Sequence, residues 1–333
     1  MSKTPNDEIS NNHSEPMVFG FGVRDSVAAP LVWSAAQQGE IEHDWIWLHL
    51  DAKHEATKQW LAGQASIPPA ATRALLAPET RPHVTTFGHG LVVNLRGVNH
   101  NEGDDPEDMV SIRIWLESRR LITTRLRRVK AAQDLCAELT AGRKIASTAA
   151  LTAQIAARLT DRMEPFVQSV EDKIDSLEEA ILQGEERELR SKLASARQVA
   201  VVVRRFIAPQ REAVSRLASD EVSLFGAAEK IEFREVADRV TRLTEDIDAA
   251  RERAMVLQDQ LTDRRAEEMN RNMMILSIAA AIFLPLGFLT GLFGINVGGM
   301  PGVESPIAFW VVVVACLVTG VGLGLLFKYL KWL

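Results

Sequence analysis

The sequence predicts an α/β domain with a helical layer, followed by a very long stalk helix that continues into the first of two C-terminal transmembrane helices. Three observations carry this. Short alternating or β-branched runs fill the chain up to about residue 128, apolar residues then recur at helical spacing, and two apolar segments, 272–293 and 307–327, contain no charge. Each segment has about the 20 residues that cross roughly 30 Å of hydrocarbon as a helix.

The strands are expected at Phe19–Val23, Trp45–Leu50, His83–Phe87, Leu91–Leu95, Ser111–Leu116 and Leu121–Thr124, each bounded by Gly, Pro, Asn or Asp. Helices interleave at about Lys53–Ala62 and Pro69–Leu76, the second with Pro in its first turn. From about Ala131 the chain reads as helical. Val167, Val170, Ile174, Leu177 and Ile181 are spaced 3-4-3-4. After a break at Gln183-Gly184-Glu185, Leu189, Leu193, Ala196, Ala200, Val203 and Ile207 continue the rhythm, so two antiparallel helices joined by a tight turn are expected. Val236, Val240, Leu243, Ile247, Ala250, Ala254, Leu257 and Leu261 extend a third repeat, and no Pro or Gly interrupts between Ala227 and Leu284. At 1.5 Å per residue that helix reaches roughly 100 Å, with about two thirds of it outside the bilayer.

The expected organisation is a disordered polar tail (1–16), the α/β domain (17–130), a helical hairpin layer (131–226), the stalk (227–271), the first span (272–293), an external loop (294–306), the second span (307–327) and a basic tail (328–333). The polar tail has no apolar h-region, so no secretory signal is expected and the first span serves as the insertion signal. Arg264, Arg265 and Arg271 precede the first span and Lys328 and Lys331 follow the second, whereas the loop between them carries only Glu304. This asymmetry places both termini inside.

Composition excludes several functions. A net charge of -6 argues against a nucleic-acid partner. The cluster 125–130, with three Arg and one Lys, reads as a salt-bridging turn. Cys136 and Cys316 are the only cysteines, too few for a disulfide framework or a thiolate zinc site. There is no P-loop, so no nucleotide is expected; Gly20-Phe21-Gly22 lacks a third Gly and lies in the first strand. No nucleophile, base or cofactor loop can be assembled from the motifs, so neither an enzyme nor a cofactor is expected. The acid-rich segment Asn101–Asp108 reads as a solvated connection, although such a loop can gather divalent cations. His83 and His89 are candidates to meet across a hairpin; surface histidines are the reading favoured over a zinc site.

On the first span, Asn270, Met273, Ser277, Ala280, Leu284, Gly287, Gly291 and Gly294 share one helical stripe. Two readings stay open. The small residues form a helix-packing face, or the stripe surrounds an axis where Met273 and Leu284 make apolar constrictions. Two helices cannot enclose a pore alone, so transport requires several copies around that axis. Gly294-Ile295-Asn296 and the Gly/Pro-rich residues after it are ordinary helix-ending and turn chemistry by composition.

Two C-terminal spans with a G-x-N tripeptide at the outer end of the first resemble the CorA superfamily of divalent cation transporters, whose signature is Gly-Met-Asn. The run from Phe288 to Gly302 is similar to the ZntB zinc-transporter branch, as are Thr80-Arg81-Pro82, the stretch from Arg204 to Arg211, Arg216-Leu217-Ala218-Ser219 and the ending Lys331-Trp332-Leu333. The resemblance implies a funnel-shaped homopentamer in the bacterial inner membrane, with the first span lining the pore. Its pore positions fall on Asn270, Met273, Leu276, Leu284, Gly287 and Asn296, with the backbone of Gly294 and Ile295 at the entrance. Ile295 in place of Met departs from the magnesium signature and favours the zinc branch.

A ring of Asn296 amide oxygens suits a cation still carrying its water, since bare Zn²⁺ would want the His or Cys ligands that the mouth lacks. Glu304 would add negative potential there. A divalent cation entering a negative-inside cell gains roughly 4.6 kcal/mol per 100 mV, so uptake needs no pump. Between Arg271 and Lys328 the only acid or base is Glu304, which leaves proton coupling without an intramembrane carboxylate. The expected function is Zn²⁺ uptake, proton-assisted or not. The alternatives are a Mg²⁺, Co²⁺ or Ni²⁺ channel, zinc efflux, and a non-transporting membrane-anchored oligomeric scaffold or sensor.

Overall fold

The computed structural model describes residues 15–38, 42–183, 188–294, 302 and 304–330. Two compact units are present, Met1–Leu257 and Gln258–Leu333.

Among the described residues the first unit is built on seven strands: β1 (Met17–Arg24), β2 (Val27–Pro30), β3 (Trp45–Asp51), β4 (His83–Phe87), β5 (Gly90–Gly97), β6 (Val110–Leu116) and β7 (Arg120–Arg125). They form one sheet in the order β2-β1-β3-β7-β6-β5-β4. Every pairing is antiparallel except β3 with β7, where Leu48 lies beside Ile122. A parallel pair requires a crossover, and the segment between β3 and β7 supplies it with two helices and two hairpins. All six expected strands are present. β2 is an addition: Asp25 (φ 50°) and Ser26 (φ 66°) turn β1 back on itself, and β2 closes one edge of the sheet.

Alternate side chains along the strands serve two different layers. Leu48, Leu50, Val92, Trp115 and Ile122 pack with Leu61, Ile67, Ala71 and Leu75. These last four belong to α2 (Glu55–Ala62), α3 (Pro69–Leu76) and the link between them. The short α1 (Trp33–Gln38) adds Trp33, whose ring meets Trp60 edge-on at 5.4 Å. α2 starts two residues later than its expected bound because His54 is its N-cap, with Nδ1 accepting from Ala56 N. On β3 the intervening positions are Trp47 and His49, both fully buried. Their rings converge on Thr123: Trp47 Nε1 donates to Oγ1 at 2.9 Å, and His49 Nδ1 lies 2.8 Å from it.

The helical layer comprises α4 (Lys130–Thr140), α5 (Thr148–Leu182), α6 (Leu189–Leu217) and the start of α7 (Ala227–Phe293). The continuous helical run expected from Ala131 is interrupted. Gly142 (φ 90°) ends α4, and Ser147 opens α5 by accepting from Ala150 N at 3.0 Å. The expected turn between α5 and α6 falls largely on residues 184–187, outside the described residues. Gln210 of α6 lies against Met163 of α5, a contact that antiparallel packing of the two helices makes. Every residue of the three apolar repeats, including all eight on α7, is buried. At about 1.5–3 kcal/mol per large aliphatic side chain, these stripes hold the layer together. Ion pairs on their flanks set the register: Arg239 with Asp161 and Glu164, Arg253 with Asp175 and Glu178, and Arg204 with Asp248.

One close approach fixes α5 on the sheet. A Cβ on Gly97 would lie 2.6 Å from Leu159 Cδ2, so only glycine leaves room for that side chain at the end of β5.

Candidate metal pathway

The second unit holds the distal part of α7 and α8 (Ala308–Tyr329). Both pass the length and hydropathy requirements of membrane spans, and almost no residue of either apolar window is buried. That separates them from core helices of a soluble domain, which bury the same composition. Leu276, Phe283, Leu284 and Phe288 are each about 70 % exposed on α7, and Phe309 and Trp310 nearly as much on α8. Exposed apolar surface of this extent belongs in lipid or against further protein. Side-chain hydroxyls inside the helices bond to their own backbone: Ser277 Oγ donates to Met273 O at 2.8 Å, Thr290 Oγ1 to Leu286 O at 3.0 Å and Thr319 Oγ1 to Ala315 O at 2.8 Å. In an apolar medium that is the economical arrangement, because an unpaired hydroxyl is costly there.

The two spans have distinct faces. On α7, Ile278 is buried and Ile282, Pro285, Leu286 and Leu289 are half-buried, a 3-4 stripe. On α8, Cys316, Thr319, Gly320, Leu323 and Phe327 are covered with the same period. A Cβ on Gly320 would stand 3.8 Å from Leu286 Cδ1, which identifies these stripes as the faces on which the two spans meet.

The stripe singled out in the sequence lies elsewhere on α7. Asn270, Met273, Leu276, Ser277, Leu284, Gly287 and Gly291 are all exposed, and a Cβ built on Gly287 or Gly291 would meet nothing within 4 Å. Within one chain, therefore, these small residues are not the α7–α8 packing face. α7 ends at Phe293, and Gly294 N donates to Thr290 O at 3.0 Å, closing the last turn. Ile295 and Asn296, the other members of the tripeptide, lie outside the described residues. Glu304 is exposed in the turn that leads to α8.

The histidine and acidic-loop candidates resolve differently. His83 pairs across the β4–β5 ladder with Asn94, and its Nδ1 lies 2.8 Å from Arg81 O. His89 lies in the turn and reaches Glu117 at 3.3 Å, so the two histidines do not meet. The acidic loop is met by the basic cluster: Arg127 lies 3.6 Å from Asp104 and 3.9 Å from Asp108, while Arg125 is buried at the end of β7. Among the described residues no group of three or more His, Cys, Asp or Glu could hold a metal ion.

An α/β domain followed by two uncovered apolar helices, the first with an exposed stripe of small and polar residues, defines a two-span membrane protein with a large soluble region. A family model described as CorA-like Mg2+ transporter protein matches residues 42–329, and the chain belongs to that family. It is 38 % identical over 295 residues to the divalent cation transporter CmaX of Pseudomonas aeruginosa, covering 86 % of this chain and 87 % of that protein. It is 34 % identical over 287 residues to the zinc transport protein ZntB of Pectobacterium carotovorum subsp. carotovorum, covering 86 % and 88 %. The structure of full-length CmaX superposes with a TM-score of 0.81 at 33 % identity, over 95 % of this chain and 98 % of that one. The complete CorA magnesium transporter from Methanocaldococcus jannaschii gives 0.79 over the same shares at 18 % identity, a likeness of fold. The protein is thus a CorA-family divalent cation transporter and not an enzyme.

Proposed function

We propose that five copies of this chain surround an axial pore in a bacterial inner membrane and carry Zn²⁺ inward, with both termini in the cytoplasm. The observation that carries the reading is the exposed stripe on α7, from Asn270 and Met273 through Leu276, Ser277, Leu284 and Gly287 to Gly291, on a helix whose covered face is already used by α8. Copies arranged with that stripe inward place small residues around the axis and apolar rings at Met273 and Leu284, where the path closes by dewetting. Residues 227–271 act as the stalk that joins the domain to the pore. At the outer end, Asn296 amides and the carbonyls of Gly294 and Ile295 take the ion with its water shell, and the Glu304 carboxylates raise its local concentration.

Zinc is favoured by the relatives named as zinc transport proteins and by Ile295 in the signature. The relative named only for divalent cations makes the metal the first thing to measure. Pure protein in liposomes with an internal zinc-sensitive dye, at clamped potential, tests both metal and proton dependence. Zn²⁺ entry is expected, at least tenfold slower in Asn296→Ala. Entry that rises with an inward proton gradient makes protons co-substrates, and entry set by voltage and metal gradient alone makes the path channel-like. Parental flux in Asn296→Ala would sink the capture mechanism. Entry of Mg²⁺, Co²⁺ or Ni²⁺ with Zn²⁺ excluded would replace the zinc assignment, and no flux of any divalent ion would return the protein to a scaffold.

A further inference from the structure

The first unit contains a cavity of about 700 Å³ that the transport reading does not use. It opens between the loop that follows α3, the start of β6 and the middle of α6, and its size lies within the range of small-molecule sites. Its charge is unusual for an acidic protein. Lys53, Arg81, Arg96, Arg127 and Arg205 line it against Glu79, Glu107 and Asp108, and Arg127 is held near the acidic loop by Asp104 and Asp108. Among the described residues, Lys53, Arg81, Arg96 and Arg205 form no ion pair with a carboxylate.

Arg96 is the centre of the arrangement. Its guanidinium is half-buried and is fixed by neutral acceptors only. Nε and Nη2 donate to Thr80 O at 3.1 and 2.7 Å, and Nη1 donates to Met109 O at 2.5 Å. Phe206 stacks on it, with the guanidinium carbon 4.5 Å from the ring centre. Burial pushes its pKa below the usual guanidinium value; Glu79 opposes this, and Arg127 and Arg205 add to it. Behind the Pro78 wall a second cation, Arg113, is fully buried. Its Nη2 donates to Ala77 O at 2.6 Å, while Nε and Nη1 have no partner among the described residues. Thr80 Oγ1, on a lining residue, is also buried without a partner among the described residues.

Cations gathered in a concave site in excess of its carboxylates, five against three here, raise a positive potential that attracts a counter-charge. We infer that this cavity binds a small multivalent oxyanion, one with closely spaced anionic oxygens, between Arg81, Arg96 and Arg205. A single chloride satisfies one guanidinium, whereas linked phosphoryl or carboxylate groups span several and make charge-assisted bonds to each. The ligand would bridge α6 to the loops at Pro78–Arg81 and Glu107–Met109, and so stiffen the domain.

The test uses the full-length protein in detergent, free of added metal, at constant ionic strength. Heat of binding and thermal midpoint are followed with tripolyphosphate, with citrate, and with sodium chloride at matched ionic strength. Saturable binding of either polyanion, weakened at least tenfold by Arg205→Ala or Arg81→Gln, is expected. These residues are exposed, and the unliganded variants should melt at the parental temperature. Tripolyphosphate alone would identify a phosphoryl ligand, citrate alone a polycarboxylate, and both the shared chemistry. Binding that is unsaturable, equalled by chloride, or unchanged in both variants would overturn the proposal. None of these readouts depends on metal flux, so the site and the zinc reading fail independently.

Discussion

Gly97 and Leu159 give the sharpest stability test, because the clash between them has one identifiable cause. An alanine Cβ at position 97 would lie 2.6 Å from Leu159 Cδ2, about 1 Å inside normal carbon contact. The next carbon of that leucine is 3.9 Å away, so the conflict is confined to one methyl group. Leu159 is 2 % exposed in α5, and its end has little room to swing. Gly97→Ala should therefore cost about 1–3 kcal/mol as overpacking. Leu159→Ala removes the offending methyl and leaves a cavity, costing about 2–5 kcal/mol. In the double variant the new Cβ occupies part of that cavity, so the two costs should sum to about 1–2 kcal/mol more than is observed. Thermal unfolding of the first unit, followed by fluorescence of the buried Trp47 and Trp115, reads this as about 2–4 °C per kcal/mol. Strict additivity, or a neutral Gly97→Ala, would refute the claim that this glycine exists to admit Leu159.

Three further outcomes follow from buried or crowded ionisable groups. Burial, with Arg125 nearby, holds His49 well below the ordinary histidine pKa, so the folded state binds fewer protons than the unfolded one. Stability should be fully present above about pH 6.5 and fall as pH drops through that value; His49→Phe should flatten the slope of midpoint against pH, and an unchanged slope would contradict the assignment. Glu171 is the opposite case, raised by burial and by Asp246, Asp175 and Asp172 against the opposing Arg253. The fold then binds the extra proton, so its penalty grows as pH rises from about 4.5 through the raised pKa, and Glu171→Gln should be more stable than the parent at pH 7. A less stable Glu171→Gln at that pH would refute it. Burial also pushes the Cys136 thiol up to about 11. In a Cys316→Ser background it should resist maleimide at pH 8 until the domain is unfolded, and fast labelling of the folded protein would show that the α4 face opens.

Much of the architecture was legible because it rests on local pattern. The α3 bounds, Pro69–Leu76, coincide with those expected, since Pro in the first turn and the apolar spacing are both short-range signals. The eight-residue apolar stripe of α7 was readable for the same reason: burial on a long helix writes a 3-4 period into the chain. β2 and α1 were not readable. Val27–Pro30 has four residues and no polar alternation, and the turn before it uses Asp25-Ser26 where Asn-Gly or Asp-Gly would have given a recognisable hairpin signal. The break at Ala141–Ser147 was passed over because one Gly and one Ser weigh little inside a long helical composition. Of the candidate site, the sequence named the stripe without choosing between packing and pathway. The position of α8 on the Ile278 face takes the stripe out of the contact between the two spans of one chain.

The sequence by itself determined the two spans, the heptad stripes, most of the strands and the charges that flank the spans, because each is set by residues within a few turns of one another. The tertiary structure alone decided the sheet order with its parallel β3–β7 pair, the separation of His83 from His89, and the meeting of Arg81, Arg96 and Arg205 around one cavity. Those groups lie up to 124 positions apart in the chain, and nothing in a local window records which strand, or which guanidinium, a given segment will meet once the helices close over the sheet.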